Sequence, residues 1–296
     1  MPVFTRLLAL AILIAAGPAD AAGHKLFAWR IVGSPGTVYL LGSIHVGKPD
    51  LYPLPAPIEA AFAGSTTLVE EIDMNGANLR QLQQMVLQRG LYGSGDKLEH
   101  HLAPKTKAAL AAWLRSTHQA AATFSQMRPW LASMQILATQ LRALGFAANY
   151  AIDQHFLDEA AAAKKPVAGL ETIQFQIDLL SGLSPDLQDK LVLSELVDAG
   201  GVAQDTATLM TAWRTGDTAG MEAVVTRAER EYPDLKPLTE AVVYRRNAGM
   251  AEQLEGFLKT PRTWFVVVGS LHLVGDRGIL KLLADKGYRA EQLTAP

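Results

Sequence analysis

The sequence predicts an α/β protein: a mostly parallel central sheet built from two strand–Gly-x-x-His–helix–strand halves, with large helical insertions. Three observations predict it. Short apolar, β-branched runs alternate with longer runs of helical period, as a parallel sheet with crossover helices requires. The phrase Val38-Tyr39-Leu40-Leu41-Gly42-Ser43-Ile44-His45 near one end returns as Phe265-Val266-Val267-Val268-Gly269-Ser270-Leu271-His272 near the other. Of 296 residues, 49% are hydrophobic and 19% charged, which excludes disorder and supplies a large core.

The first segment is a targeting signal by pattern. Arg6 precedes the apolar run from Leu7 to Ala16, Gly17-Pro18 breaks it, and Ala19-Asp20-Ala21 offers small residues at cleavage spacing. The run is about half the ~20 residues that span a bilayer. We therefore expect a signal peptide at 1–21, a single domain at 22–296, and a periplasmic or secreted protein. The alternative is a membrane anchor formed by the uncleaved segment.

Leu26 to Ile31 and Thr37 to Leu41 read as a β-hairpin, because Gly33-Ser34-Pro35-Gly36 between them favours a turn. Ile58 to Phe62 reads as a short helix and Thr66 to Ile72 as a strand carrying Glu70-Glu71. Leu79 to Gln88, Lys105 to Arg115, Pro129 to Leu144 and Ile152 to Ala163 have apolar residues at helical spacing. Ser125 ahead of Pro129 marks a helix entry, since proline is tolerated in a first turn. Lys165 to Leu170 is a strand ending at Glu171, and helices resume from Thr172 to Lys259. The helical insertions thus fall at about 76–163 and 173–260. Thr263 to Val268 is aromatic and β-branched, the strongest strand of the chain. A helix from Ile279 to Lys286 and a strand from Tyr288 to Leu293 close the sequence.

Charge and cysteine count narrow the function. Lys+Arg number 27 against Asp+Glu 29, for a net charge of −2, which argues against a nucleic-acid partner. With no cysteine there is no disulfide, thiolate nucleophile or thiolate metal site. Any metal must be held by His, Asp or Glu.

The repeated motif places His45 and His272 just past strand ends. In open α/β sheets ligands bind at that carboxyl edge. Glu71 and Glu171 end two further strands. If these four strands are parallel and adjacent, two imidazoles and two carboxylates meet at one edge. Two His and a carboxylate suit zinc, manganese, cobalt or iron and leave positions open for water and substrate. The plainer alternative is a pair of strand-end histidines that cap loops.

Other polar residues have structural readings. His100-His101 reads as a solvated turn. Glu70 alternates with Glu71, so one faces the site and the other is solvated. Asp153 caps a helix or pairs with an arginine, and His155 lies on another helix face. Ser43 and Ser270 lack a Gly-x-Ser-x-Gly context, so they hydrogen-bond within their turns rather than act as nucleophiles. Trp130 and Trp264 lie in apolar runs and belong to the core.

In their order, these segments resemble the TraB/PrgY/GumN family, whose animal relatives are the TIKI proteins. Its bacterial GumN-like branch is nearest in layout. The resemblance rests on the paired Gly-Ser-x-His motifs and on Glu71-Ile72-Asp73, Arg128-Pro129-Trp130-Leu131, Tyr150-Ala151-Ile152-Asp153 and Gly169-Leu170-Glu171-Thr172. Arg246-Asn247 with Met250-Ala251 completes it. It implies an α/β core with helical insertions and, from the TIKI branch, metal-dependent proteolysis with both motif histidines and a Glu at the active site. Carried over by position, it implies a divalent ion (Mn, Co or Zn) on His45, His272 and Glu71 (or Glu171), with Glu71, Glu171 and Arg246 as catalytic residues. A peptide or protein substrate follows from the same resemblance. Two positions depart from the pattern. Ala151 stands where Gly is expected, and Tyr244-Arg245-Arg246-Asn247 holds two arginines where an acidic residue and one Arg are expected, leaving Arg245 as the alternative to Arg246. A non-catalytic binder of a peptide, signal or haem-like ligand and a serine esterase are the rival functions.

Overall fold

Six strands form the centre of the computed structural model, which describes residues 23–74, 76–197 and 199–296. The expected signal peptide lies outside the described residues. The strands are β1 (Lys25–Val32), β2 (Thr37–Ser43), β3 (Thr67–Ile72), β4 (Val167–Glu171), β5 (Thr263–Gly269) and β6 (Ala290–Thr294). Their order is β4-β3-β5-β2-β1-β6 in one sheet. Strands β4, β3, β5 and β2 run parallel to one another, and β1 runs antiparallel to β2 and β6. The predicted mixed α/β fold with a mostly parallel sheet is the observed one. The β1–β2 hairpin turns at Gly33–Gly36, where Gly33 N–H donates to Gly36 O at 2.8 Å.

Burial explains the order. Every residue of β5 from Trp264 to Gly269 is buried, as a strand covered on both faces and flanked on both edges must be. On one face, Phe62 of α1 (Ala56–Ala63) and Phe156 of α6 (Ile152–Ala163) close on Phe265 with ring centroids 5.5 and 4.7 Å away. Between β3 and β4 the chain makes α2 (Gly76–Gly90), α3 (Pro104–Ser116), α4 (Ala121–Ser125), α5 (Pro129–Ala143) and α6. Between β4 and β5 it makes α7 (Ile173–Ser181), α8 (Pro185–Val197), α9 (Ala199–Thr215), α10 (Thr218–Glu231), α11 (Lys236–Thr239), a π-helical turn at Glu240–Tyr244 and α12 (Arg245–Leu258). Helix α13 (Ile279–Asp285) joins β5 to β6.

These excursions have cores of their own. Trp113 of α3, Ile136 of α5 and Val192 of α8 share one cluster with Phe124, whose ring meets Trp113 edge-on at 5.6 Å. Trp130 packs with Met85, Ile173 and Ile177 in another, against Ile72 and Met74 just beyond Glu71. Trp130 and Trp264 are both core residues, as expected. The entry to α5 is different from the one anticipated. Arg128, extended before Pro129, is its cap residue. Ser125 closes α4 instead, its hydroxyl donating to Ala122 O at 3.0 Å.

Candidate functional site

The two Gly-Ser-x-His motifs lie side by side, offset by one residue. Gly42 pairs in register with Val268, and Ser43 with Gly269. A one-residue slip reverses the face of the sheet to which a position belongs, so the two glycines serve different ends. A Cβ on Gly42 would strike the Phe27 ring at 2.5 Å and Ser270 Oγ at 2.7 Å. A Cβ on Gly269 would instead stand 3.1 Å from His45 Nε2, 3.2 Å from Glu71 Oε1 and 3.5 Å from His272 Cδ2. The bare α-carbon of Gly269 is part of the floor on which these three side chains meet.

Both rings aim at one oxygen. His45 Nε2 and His272 Nε2 each lie 3.8 Å from Glu71 Oε1. The other nitrogen of each ring is anchored. His45 Nδ1 is 3.3 Å from Asp153 Oδ2, and Ser43 Oγ donates to the second oxygen of that carboxylate at 2.8 Å. His272 Nδ1 is 2.6 Å from Asn247 Oδ1. Ser270 Oγ donates to Ser43 O at 2.9 Å and ties one motif to the other. The serines therefore bond across to other elements, not within their own turns as expected, and both have their hydroxyl protons committed to acceptors other than an imidazole. Asp153, expected to cap a helix or meet an arginine, instead orients His45.

The loop beyond His45 is held by the Tyr150 segment. Gly47 and Ala147 exchange backbone hydrogen bonds of 3.0 and 2.9 Å. The Tyr150 carbonyl oxygen lies 1.9 Å from where a Gly47 Cβ would stand, so only glycine fits. Ala151, the departure from the family pattern, has φ −68° and ψ 147°, extended backbone that any residue adopts.

Arg246 joins the two carboxylates. Its Nε donates to both Glu171 oxygens at 3.0 Å, its Nη2 to Glu171 Oε2 at 2.7 Å and also to Glu71 Oε2, and its Nη1 to Val242 O at 2.9 Å. The π turn contributes here. Arg245 N–H bonds to Glu240 O, five residues back, and the wide turn brings the Val242 carbonyl to the guanidinium. Gln176 Nε2, from the first turns of α7, donates to Glu171 at 2.9 Å and Glu71 at 3.2 Å. Arg245 points away, 73% exposed, toward Glu240. Glu171 thus belongs to the arginine, while Glu71 stands between the arginine and both imidazoles.

Electrostatics separate the two histidines. Packing around the His45 ring works downward, but the Asp153 hydrogen bond and the charges of Asp153 and Glu71 raise it to about 9. Desolvation dominates at His272 and lowers it to about 4. Burial pushes the Glu71 carboxyl up, yet the two imidazoles, Arg246 and the Gly269 N–H at 2.7 Å together hold it at about 2. Its neighbour Glu70 is not solvated, as alternation had implied, but 4% exposed. The far face of an inner parallel strand is covered by helices rather than by water. Burial, with Asp153 and Glu71 nearby, raises its pKa well above the ordinary range, and its Oε1 has no partner among the described residues.

His100 and His101 lie at the surface, both on Asp96, in the solvated turn expected. His155 pairs with Glu59 at 3.1 Å, away from the site. Among the described residues, no group of three or more His, Cys, Asp or Glu side chains is disposed to hold a metal ion as the side chains stand. The Glu71 oxygens accept from the Gly269 N–H, Arg246 and Gln176. The donor chemistry nonetheless fits a divalent cation. Two imidazoles with anchored Nδ1 atoms and one carboxylate form a two-His, one-carboxylate set. Two ligands near 2.1 Å from one ion are separated by roughly 3.4 Å at the tetrahedral angle, close to the 3.8 Å found here.

The whole constellation, from the first motif to the second, falls within a single family match: a profile of the TraB/PrgY/gumN family covers residues 27–292. The chain belongs to the TraB/PrgY/gumN family. Among curated TraB/PrgY/gumN-like relatives, the uncharacterized protein YbaP of Escherichia coli is 24% identical over 245 residues, 83% of this chain and 87% of that protein. YbaP of Shigella flexneri matches to the same extent. Metalloprotease TIKI1 of Danio rerio is 21% identical over 323 aligned residues, 91% of this chain and 63% of that protein. No solved structure matches the chain.

Proposed function

We propose that this protein is an exported metal-dependent hydrolase, a peptidase, with His45, His272 and Glu71 as the ligands of a divalent cation (manganese, cobalt or zinc). The observation that carries the reading is the convergence of both Nε2 atoms on one Glu71 oxygen, each ring anchored through Nδ1. Membership of a family that includes a distant relative named a metalloprotease supports it. The export reading rests on the sequence pattern at 1–21. Among the described residues no helix is long and apolar enough to cross a membrane.

A bound divalent cation supplies Lewis-acid polarisation of a carbonyl and acidifies water. The chain's own residues do the rest. Glu171, beside the ligand set but bonded to neither imidazole, accepts the proton of the attacking water and returns it to the departing amine nitrogen as the C–N bond breaks. Arg246, its Nη2 hydrogens committed to the two carboxylates, holds Glu71 and Glu171 in place and offsets the negative charge that gathers at the site during attack. Neither Ser43 nor Ser270 donates to an imidazole, so a serine esterase finds no support.

A second reading has one observation in its favour. Glu71 already accepts from Arg246, Gln176 and Gly269, an arrangement held by the protein itself that suits a non-catalytic binding protein using the same strand edge. Metal analysis of the purified mature protein separates the two. The hydrolase should hold near-stoichiometric metal, lose it in folded His45→Ala and His272→Ala variants, and cleave peptides from a library in a chelator-sensitive way. No uptake after incubation with manganese, cobalt and zinc would overturn the reading in favour of binding.

A further inference from the structure

His272 and Asn247 are both buried, and their hydrogen bonds determine where the imidazole proton sits. Asn247 Nδ2 donates to the Arg277 carbonyl oxygen at 2.8 Å. A carbonyl oxygen only accepts, so the nitrogen end of the amide must face Arg277 and the oxygen end must face the ring. Asn247 Oδ1 then lies 2.6 Å from His272 Nδ1. An amide oxygen also only accepts, so the proton is on Nδ1. In the neutral ring that leaves the lone pair on Nε2, the atom turned toward Glu71.

We propose that Asn247 is a positioning residue that locks His272 in its Nδ1–H tautomer, so that Nε2 meets the cation site as a bare donor. The tautomer follows from the hydrogen bonds alone, whereas its use as a donor rests on the proposed function. The lock is itself supported from outside the site. Arg277 forks onto Glu240 at 2.6 and 2.9 Å and stacks on Tyr244 at 4.3 Å, both in the π turn. The same stretch of chain thus fixes Arg246 against the carboxylates and, through Arg277 and Asn247, the proton of His272.

The comparison with His45 sharpens the assignment. Its orienting partner is an anion, Asp153, steadied by Ser43, and its side chain is 59% exposed. Repeated motifs have therefore acquired unlike partners. A carboxylate acceptor favours a charged ring, and a neutral amide does not. Asn247 gives His272 its orientation through a neutral acceptor.

The test is long-range proton–nitrogen correlation of the imidazoles in ¹⁵N-labelled, metal-free protein at pH 7.5, with His272→Ala identifying the resonance. The parent should show His272 as Nδ1–H. Asn247→Leu removes the acceptor at similar size, and the ring should move its proton to Nε2. Asn247→Asp restores an acceptor, so Nδ1 should again carry a proton, with or without a second one on Nε2. Cobalt(II) titration of the same proteins should show an affinity loss of about 10–100-fold in Asn247→Leu, the effect of losing a ligand's orienting partner. An Nε2–H ring in the parent, or an unchanged tautomer in folded Asn247→Leu, overturns the proposal. If Asn247→Leu does not fold, the parent spectrum and Asn247→Asp still decide it. An Nδ1–H ring without cobalt uptake supports the lock and overturns the cation reading of the site.

Discussion

Removing Arg246 should produce a large stability loss that shrinks as the pH falls. The guanidinium is 10% exposed, and the Glu71 and Glu171 side chains are 12% and 8% exposed. At the 2.7 Å between Nη2 and Glu171 Oε2, with an effective dielectric of about 20, the gross attraction is roughly 6 kcal/mol. Desolvation offsets part of that, and losing one partner of a buried pair typically costs about 3–5 kcal/mol because a charge is left uncompensated. Here two carboxylates are left, facing one another. Arg246→Met should therefore lower the urea midpoint by about 1–2 M at pH 8. In the parent, the Glu71 carboxyl is depressed from 4.5 to about 2, so its contribution is present above pH 4.5 and lost as the pH falls toward 2. In the variant Glu71 loses the Arg246 charge that helps hold it ionised, so it takes up a proton more readily and acid relieves the repulsion. The gap between parent and variant should be full at pH 8 and narrow as the pH falls from about 4.5 toward 2. Arg246→Met with Glu171→Gln should recover much of the loss. A gap below about 1 kcal/mol at pH 8, or one that widens in acid, would refute the reasoning.

Glu70 behaves oppositely. Its folded pKa is raised, so the unfolded chain loses the proton first, from about 4.5 upward. The parent should then lose about 1.4 kcal/mol per pH unit relative to Glu70→Gln until the folded carboxyl also ionises. Urea midpoints at pH 5 and pH 8 measure it, and parallel profiles would contradict a buried neutral Glu70. The two motif glycines should part ways. Gly42→Ala forces its methyl into Phe27 and should cost about 1–3 kcal/mol. Gly269→Ala keeps an ordinary φ of −52° and meets only the tips of the site side chains. It should therefore unfold close to the parent yet bind cobalt weakly. Equal stability losses in the two variants would count against the assignment of Gly269 to the site floor.

The sheet was legible because its signals are local. Apolar runs that end in Gly-Ser-x-His mark strands covered on both faces, and repeating the phrase implies neighbours in one layer. Glu71 and Glu171 were found as strand-end acids, and Arg246 through the family resemblance, with Arg245 as its alternative. Gln176 was missed because a glutamine one turn into a helix has no periodic or compositional signature. Asp153 was misjudged because its partners, Ser43 and His45, are 110 and 108 residues away in sequence. Glu70 was taken for a solvated residue because alternation tells which residues share a face, not what lies over that face. The π turn is equally silent. Glu240–Tyr244 reads as ordinary helix, and the extra residue in its turn is visible only in the Arg245-to-Glu240 bond.

The place of β5 in the sheet has a consequence in time. It lies between β3 and β2, yet it begins at residue 263 of 296. A chain emerging from the ribosome or crossing a membrane N-terminus first holds an open slot where its central strand belongs until nearly nine-tenths of it has passed. His45, Glu71 and Glu171 have by then been delivered, without the ring, the backbone amide or the strand that complete them. The site at this edge stays incomplete until the chain is almost finished, and a chain truncated before residue 263 has neither a closed sheet nor a site.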